Sequence, residues 1–211
     1  MPRTSFQNRA IKEQRSQEIL DSALLLFSTK GFDKVSIDMI ADDCHISHGL
    51  FYHYFASKDE ILKALNASYI DQLCEALEMV LRDDDYGEIF FKKLMRILIN
   101  NANSSDINNY YTKLFLDTIL STLNKNPDVI IFNKKIDNYY TKSLKQIKQS
   151  CTNISAKEFD NLLNLILLSL SAYCESKIKY PRLFRQEPDV DTIFTILNFG
   201  IKGSTDHQNI D

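Results

Sequence analysis

The sequence is poor in chain-breaking residues. Five Gly and four Pro among 211 residues leave too few turn signals for many short strands and point instead to long helices. A basic excess is also lacking. The formal net charge is −3, so attraction to a polyanion cannot rest on the charge of the whole chain. The most apolar run, "LLNLILLSL" from Leu162 to Leu170, is too short to cross a bilayer and has Asn164 inside it. No apolar signal-peptide core stands at the N-terminus, and the expectation is a soluble, cytoplasmic protein with no membrane partner. Cys44, Cys74, Cys151 and Cys174 form no C-x-x-C pair and read as reduced packing residues. A G-x-S-x-G elbow, a Walker loop, a dinucleotide fingerprint and an H-E-x-x-H motif are all missing. Enzyme chemistry and a bound cofactor are therefore not expected.

What is present is helical periodicity over most of the chain. A first helix is predicted over 12–30, with Ile19, Leu20, Ala23, Leu24, Leu26 and Phe27 as a wide apolar stripe. Gly31 suits the left-handed residue after the helix end, and Phe32 the apolar contact that folds back. Ser36 caps a short second helix whose inner face is Ile37, Ile40, Ala41 and Cys44. Ser47 caps a third, with Ile46 and Phe51 as a hydrophobic staple, ending near Ala56. Ser57-x-x-Glu60 is a capping box that opens a long fourth helix, which Asp83–Gly87 breaks. Further helices are expected over 88–101, 108–123, 127–151, 156–179 and 190–202, with an Asn126–Pro127 start and a Ser155-x-x-Glu158 box. The fold class is all-α. In the first fifteen residues, Arg3, Arg9, Lys12 and Arg15 face only Glu13; this is either a solvated tail or a basic arm.

Two short helices, a brief turn and a helix behind them make a helix-turn-helix unit. A helical wheel of the third helix puts Leu50, Phe51, Tyr54 and Phe55 on one side. His48, Gly49, Tyr52 and His53 fall on the other. A helix seated in the major groove needs such a polar face, with hydroxyls and imidazoles in reach of bases and phosphates. Gly49 permits close backbone approach, and Lys58 can pair with a phosphate.

These residues also resemble the TetR-type bacterial transcriptional regulators. The likeness covers about 15–65 and lies in "ILDSALLLFSTKGFDKVSIDMIA" followed by "DDCHISHGLFYHYFASKDEIL". It implies an all-helical homodimer that binds a double-stranded DNA operator and releases it when a small molecule binds. In that reading an N-terminal helix-turn-helix domain spans 1–56, and a larger helical ligand-binding and dimerisation domain spans 57–211. Ser36, His48, Gly49, Leu50, Tyr52, His53 and Lys58 would lie nearest DNA. Two positions depart from the family pattern. His45 stands where a turn glycine is usual, and histidine is among the residues better tolerated at positive φ. Leu50 replaces a small hydroxyl residue; it can touch a thymine methyl but cannot hydrogen-bond a base.

Other readings of the same residues exist. Cys44, His45, His48 and His53 have poor spacing for four converging metal ligands, and no metal is expected. A helical protein-interaction adaptor without specific DNA binding is the alternative function. Residues 1–65 carry 8 Lys+Arg against 9 Asp+Glu, so distribution of charge must decide, and Asp42 and Asp43 pointing at a DNA backbone would favour the adaptor.

In the remaining two-thirds, Phe91, Met95, Tyr111, Phe115 and Tyr140 suit a pocket for an apolar or aromatic inducer; each alone also suits a core. Asp117 and Glu175 are candidates to counter a cationic ligand. Leu163, Ile166, Leu167 and Leu170, joined by Phe194 and Leu197, suit either a deeply buried helix pair or a dimer interface.

Overall fold

The computed structural model describes residues 5–104, 107–123, 134–150, 156–180, 182 and 187–195. The described residues contain helices and no strand: α1 (Ser5–Lys30), a 3₁₀ turn (Phe32–Lys34), α2 (Ile37–Asp43), α3 (His48–Phe51), α4 (Lys58–Val80), α5 (Glu88–Asn103), α6 (Asn108–Leu123), α7 (Lys134–Ser150) and α8 (Ala156–Lys179). Residues 190–195 are helical as well. The Asn126–Pro127 start, Ser155, Cys151 and everything after 195 lie outside the described residues.

The first helix starts earlier than its apolar stripe. The added turns hold no buried side chain among residues 7–15 and are braced by Arg9 Nε to Glu13 at 2.8 Å and Arg15 to Glu18 at 2.5 Å. Such i,i+3 and i,i+4 pairs stabilise an exposed helix but leave no periodicity to read. So the stretch from Ser5 is helix and not a loose tail, with Arg9 and Arg15 paired on its exposed surface; Arg3 lies outside the described residues.

At the other end Gly31, at φ 89°, stops α1, its N–H donating to the Phe27 carbonyl at 2.9 Å. Phe32 then folds back edge-on to Phe27, ring centroids 5.0 Å apart. Ile19, Ala23, Leu24 and Phe27 of α1, Ile40 and Ala41 of α2, Phe51 and Phe55, and Ile61 and Leu65 of α4 are all buried together. The Ser22 hydroxyl donates to the Asp43 carboxylate at 2.6 Å and ties α2 to α1.

This core does not stop at the N-terminal helices. It continues without a break through α4 into α5, α6 and α8, and α6 packs against α1, α4, α5 and α8. Inside it, the Tyr69 hydroxyl meets Thr112 Oγ1 at 2.7 Å and accepts from Asn101 at 3.1 Å. Burial pushes that phenol's pKa up, against the pull of these two partners. Lys113, buried, pairs with Asp117, which also accepts from Ser171 at 2.7 Å, joining α6 to α8. No helix among the described residues is long and apolar enough to cross a membrane.

The turn between α4 and α5 is organised by one carboxylate. Asp85 accepts from the Arg82 N–H at 2.7 Å and from the Lys93 ammonium, and Lys93 also donates to the Val80 carbonyl at 2.6 Å. The Lys93 hydrogen bond, then the Arg82 N–H, hold the Asp85 carboxyl below its ordinary pKa. A folded-state pKa below the unfolded one adds stability above the ordinary carboxylate range and loses it as pH falls through the folded value. Asp85→Asn is therefore expected to cost about 1–2 kcal/mol in urea denaturation at neutral pH, with the gap to wild type closing in acid below the ordinary carboxylate range.

Candidate nucleic-acid interface

The α2–turn–α3 unit is built by three serine caps. The Ser36 hydroxyl accepts from Met39 N at 3.2 Å, the Ser47 hydroxyl from Leu50 N at 3.2 Å and the Ser57 hydroxyl from Glu60 N at 3.1 Å. Glu60 reaches back to the Ala56 N–H at 2.7 Å and completes the capping box one residue further out than usual. Between α2 and α3 the chain turns at His45, which takes the left-handed φ of 53°. Ile46 N donates to the Ala41 carbonyl at 2.9 Å, and Ile46 is half-buried against the core that holds Phe51.

The third helix is shorter than its spacing predicts. Its regular part ends at Phe51. Beyond it the ladder tightens, with His53 N to Leu50 O at 3.1 Å and Tyr54 N to Phe51 O at 2.9 Å, and the chain goes on as a turn to Tyr54.

Sidedness is the main feature. Phe51 is fully buried, Phe55 is buried and Tyr54 half-buried. His48, Gly49, Leu50, Tyr52 and His53 are exposed on the opposite side. Leu50, which the wheel put with the apolar residues, faces solvent with 42% of its surface exposed. On the wheel Leu50 stands about 100° from Phe51, at the rim of the apolar arc, where spacing alone does not decide burial. A Cβ built on Gly49 meets no atom within 4 Å, so the fold itself does not require glycine there.

Two charged residues play parts the sequence did not reveal. Lys58 is half-buried. Its ammonium donates to the Phe32 carbonyl at 2.7 Å and the Val35 carbonyl at 2.8 Å and lies 4.3 Å from the centroid of the Phe32 ring. It thereby clamps the 3₁₀ turn and the residue before the Ser36 cap onto the start of α4. Asp38, in the first turn of α2, lies across the turn from α3, its Oδ1 3.4 Å from His48 Nδ1. The His48 ring in turn leans on Tyr52, centroids 5.0 Å apart. Of the two acids that bear on the adaptor reading, Asp43 is turned toward Ser22 of α1 and Asp42 is exposed.

The five candidate ligand residues fall into separate contacts. Phe91 meets Tyr140 edge-on at 5.8 Å. Tyr111 and Phe115 instead gather around Tyr69 of α4, at 6.0 and 5.2 Å, a hub that no spacing in the sequence marks. Phe91, Met95, Tyr111 and Phe115 are buried and Tyr140 half-buried. Burial is the main cause raising the Tyr111 phenol, with Asp21 adding to it. Asp117 and Glu175 are neutralised within the chain, by Lys113 and Lys179.

Of the candidate interface residues, Leu170 and Phe194 are buried inside this one chain. Helical phase gives the reason: Leu170, Ser171 and Cys174 turn inward, while Leu165 and Leu168 stand 60% and 52% exposed. Ile166 and Leu167 are half-buried. Leu197 and the side chain of Leu163 lie outside the described residues.

The profile of the bacterial regulatory proteins of the tetR family matches residues 19–65. The chain is 30% identical over 89 residues to the uncharacterized HTH-type transcriptional regulator YuxN of Bacillus subtilis, 42% of this chain and 31% of that one. It is 22% identical over 193 residues to IcaR of Staphylococcus aureus, the HTH-type negative transcriptional regulator of the biofilm operon icaADBC, covering 88% of this chain and 98% of the other. The alignments span between about a quarter and a third of the length of the first curated relatives. Among solved structures, a gamma-butyrolactone receptor (ArpA-like protein) shares the fold with a TM-score of 0.51 at 15% identity, over 92% of this chain and 99% of that one.

Two substitutions separate folding from recognition on this face. Lys58→Met keeps the aliphatic stem over Phe32 but strands two carbonyls, and a loss of about 1–3 kcal/mol in thermal or urea unfolding is expected. Gly49→Ala meets open space on a helix and is expected to leave stability unchanged or raise it by up to about 1 kcal/mol.

Proposed function

We propose, for a chain that belongs to the TetR family of bacterial regulators, that it represses transcription by binding a double-stranded DNA operator as a homodimer and lets go when a small molecule binds. The carrying observation is the sidedness of α3: Phe51 and Phe55 seal it to the bundle, and His48, Gly49, Leu50, Tyr52 and His53 are left outward. In this reading the imidazoles and the Tyr52 hydroxyl meet base edges or phosphates, Leu50 meets a thymine methyl, and Gly49 lets the backbone come close. Ser36, exposed at the start of α2, faces the backbone of the duplex. Lys58 acts mainly by holding the 3₁₀ turn, so its contribution to DNA binding is positional.

Residues 1–56 are the reading unit and 57–211 the regulatory one in this proposal. The role of IcaR as a negative regulator supports repression, and a receptor among the structural neighbours is in keeping with a ligand. The inducer is taken to be apolar or aromatic, held near Phe91, Met95, Tyr111, Phe115 and Tyr140. Dimerisation uses the outer face of α8, where Leu165 and Leu168 join Ile166 and Leu167. Coupling runs through α4. Its first residue grips the carbonyl of Val35, next to the Ser36 cap, so a shift of α4 drags the start of α2 and re-aims α3. Half-sites one turn apart lie roughly 34–36 Å from each other, and a few ångströms of spread weaken binding to both.

Selection of duplexes from a randomised pool by the full chain is expected to return a two-fold symmetric site. Gly49→Ala and Tyr52→Ala should each weaken binding to that site by about tenfold or more in mobility-shift titrations, equivalent to at least ~1.4 kcal/mol. Failure to enrich any duplex would overturn the DNA-binding reading. Leu165→Glu with Leu168→Glu is expected to halve the mass seen by light scattering.

A further inference from the structure

The contact between Asp38 and His48 has no role in holding the fold. Both side chains are more than half exposed, at 70% and 55%, and each helix has its own serine cap. Yet the pair sits at the edge of the outward face of α3, where a carboxylate alone would repel a duplex. The Nδ1–Oδ1 distance of 3.4 Å is an ion-pair separation, longer than a good hydrogen bond. Tyr52 supports the other side of the ring. Asp42, one turn further along α2, is exposed, and Asp43 is held by Ser22.

Against an acceptor on DNA, the kind of group that every phosphate offers, proton bookkeeping on the ring has one favourable solution. If Asp38 accepts from Nδ1–H of a neutral imidazole, Nε2 is a bare acceptor and meets phosphate oxygens or guanine N7 and O6, also acceptors, unfavourably. Only the imidazolium donates from both nitrogens: Nδ1–H to Asp38 and Nε2–H to the acceptor on DNA. Adding one proton from solvent thus converts a repulsive carboxylate into part of a donor unit.

We infer that Asp38 and His48 act as a single reading unit that takes up one proton when the chain binds its duplex, His48 bridging Asp38 to a hydrogen-bond acceptor on DNA. This rests on the DNA-binding reading above. Asp38 is a positioning residue and His48 the contacting one.

The test uses the full chain and the duplex it selects from a randomised pool at about pH 6.5, near the ordinary imidazole pKa. Affinity is measured at constant salt from about pH 6 to about pH 8. Wild type is expected to lose roughly 25-fold over that range, the span that binding only as the imidazolium gives one ordinary imidazole. Asp38→Asn and His48→Gln should flatten the profile, while His53→Gln keeps it. Calorimetry in buffers of different ionisation enthalpy should show uptake of close to one proton for wild type. Replacing guanines by 7-deazaguanine removes the dependence if the acceptor is a base; methylphosphonate linkages remove it if the acceptor is a phosphate. A selected duplex bound with a flat profile, or a slope that follows His53 instead, overturns the inference while leaving DNA binding intact. If no duplex is selected, the underlying reading fails first.

Discussion

A helix of four residues has no stability of its own, because nucleation costs more than so few hydrogen bonds return. That α3 exists at all depends on Phe51 and Phe55, which anchor it in the core made by α1, α2 and α4. Every outward side chain of the reading face is held in place through those two rings. The Ser47 cap and the His45 turn set where the helix begins; the phenylalanines decide that it stays. Burial on one side and exposure on the other are thus two consequences of one packing event.

The second constraint is the grip of α4 on the segment before α2. Lys58 spends two N–H groups on carbonyls of Phe32 and Val35, so the start of α4 and the segment before α2 move as one. Further along α4, Tyr69 is bonded to Thr112 of α6 and to Asn101 of α5. A polar knot in an otherwise apolar interior fixes the register between helices, since any slide leaves buried groups unpaired. Such an arrangement has the stiffness needed for a shift among the middle helices to be felt at α2.

What could be read from the sequence was what physics makes local. Serine caps act within three residues, so Ser36, Ser47 and the Ser57–Glu60 box were all legible, as were the limits of α6 and α8 and the left-handed turn at His45. Apolar periodicity gave the core faces of α1, α2 and α4. What depended on distant partners was not legible. The Lys58 carbonyls, the Asp38–His48 contact and the Tyr69 hub need three-dimensional neighbours that no spacing rule supplies. Leu50 stands at the rim of the apolar arc, where spacing does not decide burial, and the early start of α1 rests on exposed ion pairs instead of an apolar stripe. On α8 the abundance of leucines hid the phase, so the face that looks outward had to be seen directly.

The unbroken interior, running from Ile19 through α6 to Cys174, has a consequence for how the molecule can be taken apart. The side of α1 that meets α6 would be bare in an excised fragment, and bare apolar surface invites aggregation. A severed reading head is thus a poor proxy for the intact chain. Amide protection against exchange should spread across the α1–α6 seam as one cooperative block, with fraying confined to exposed helix ends.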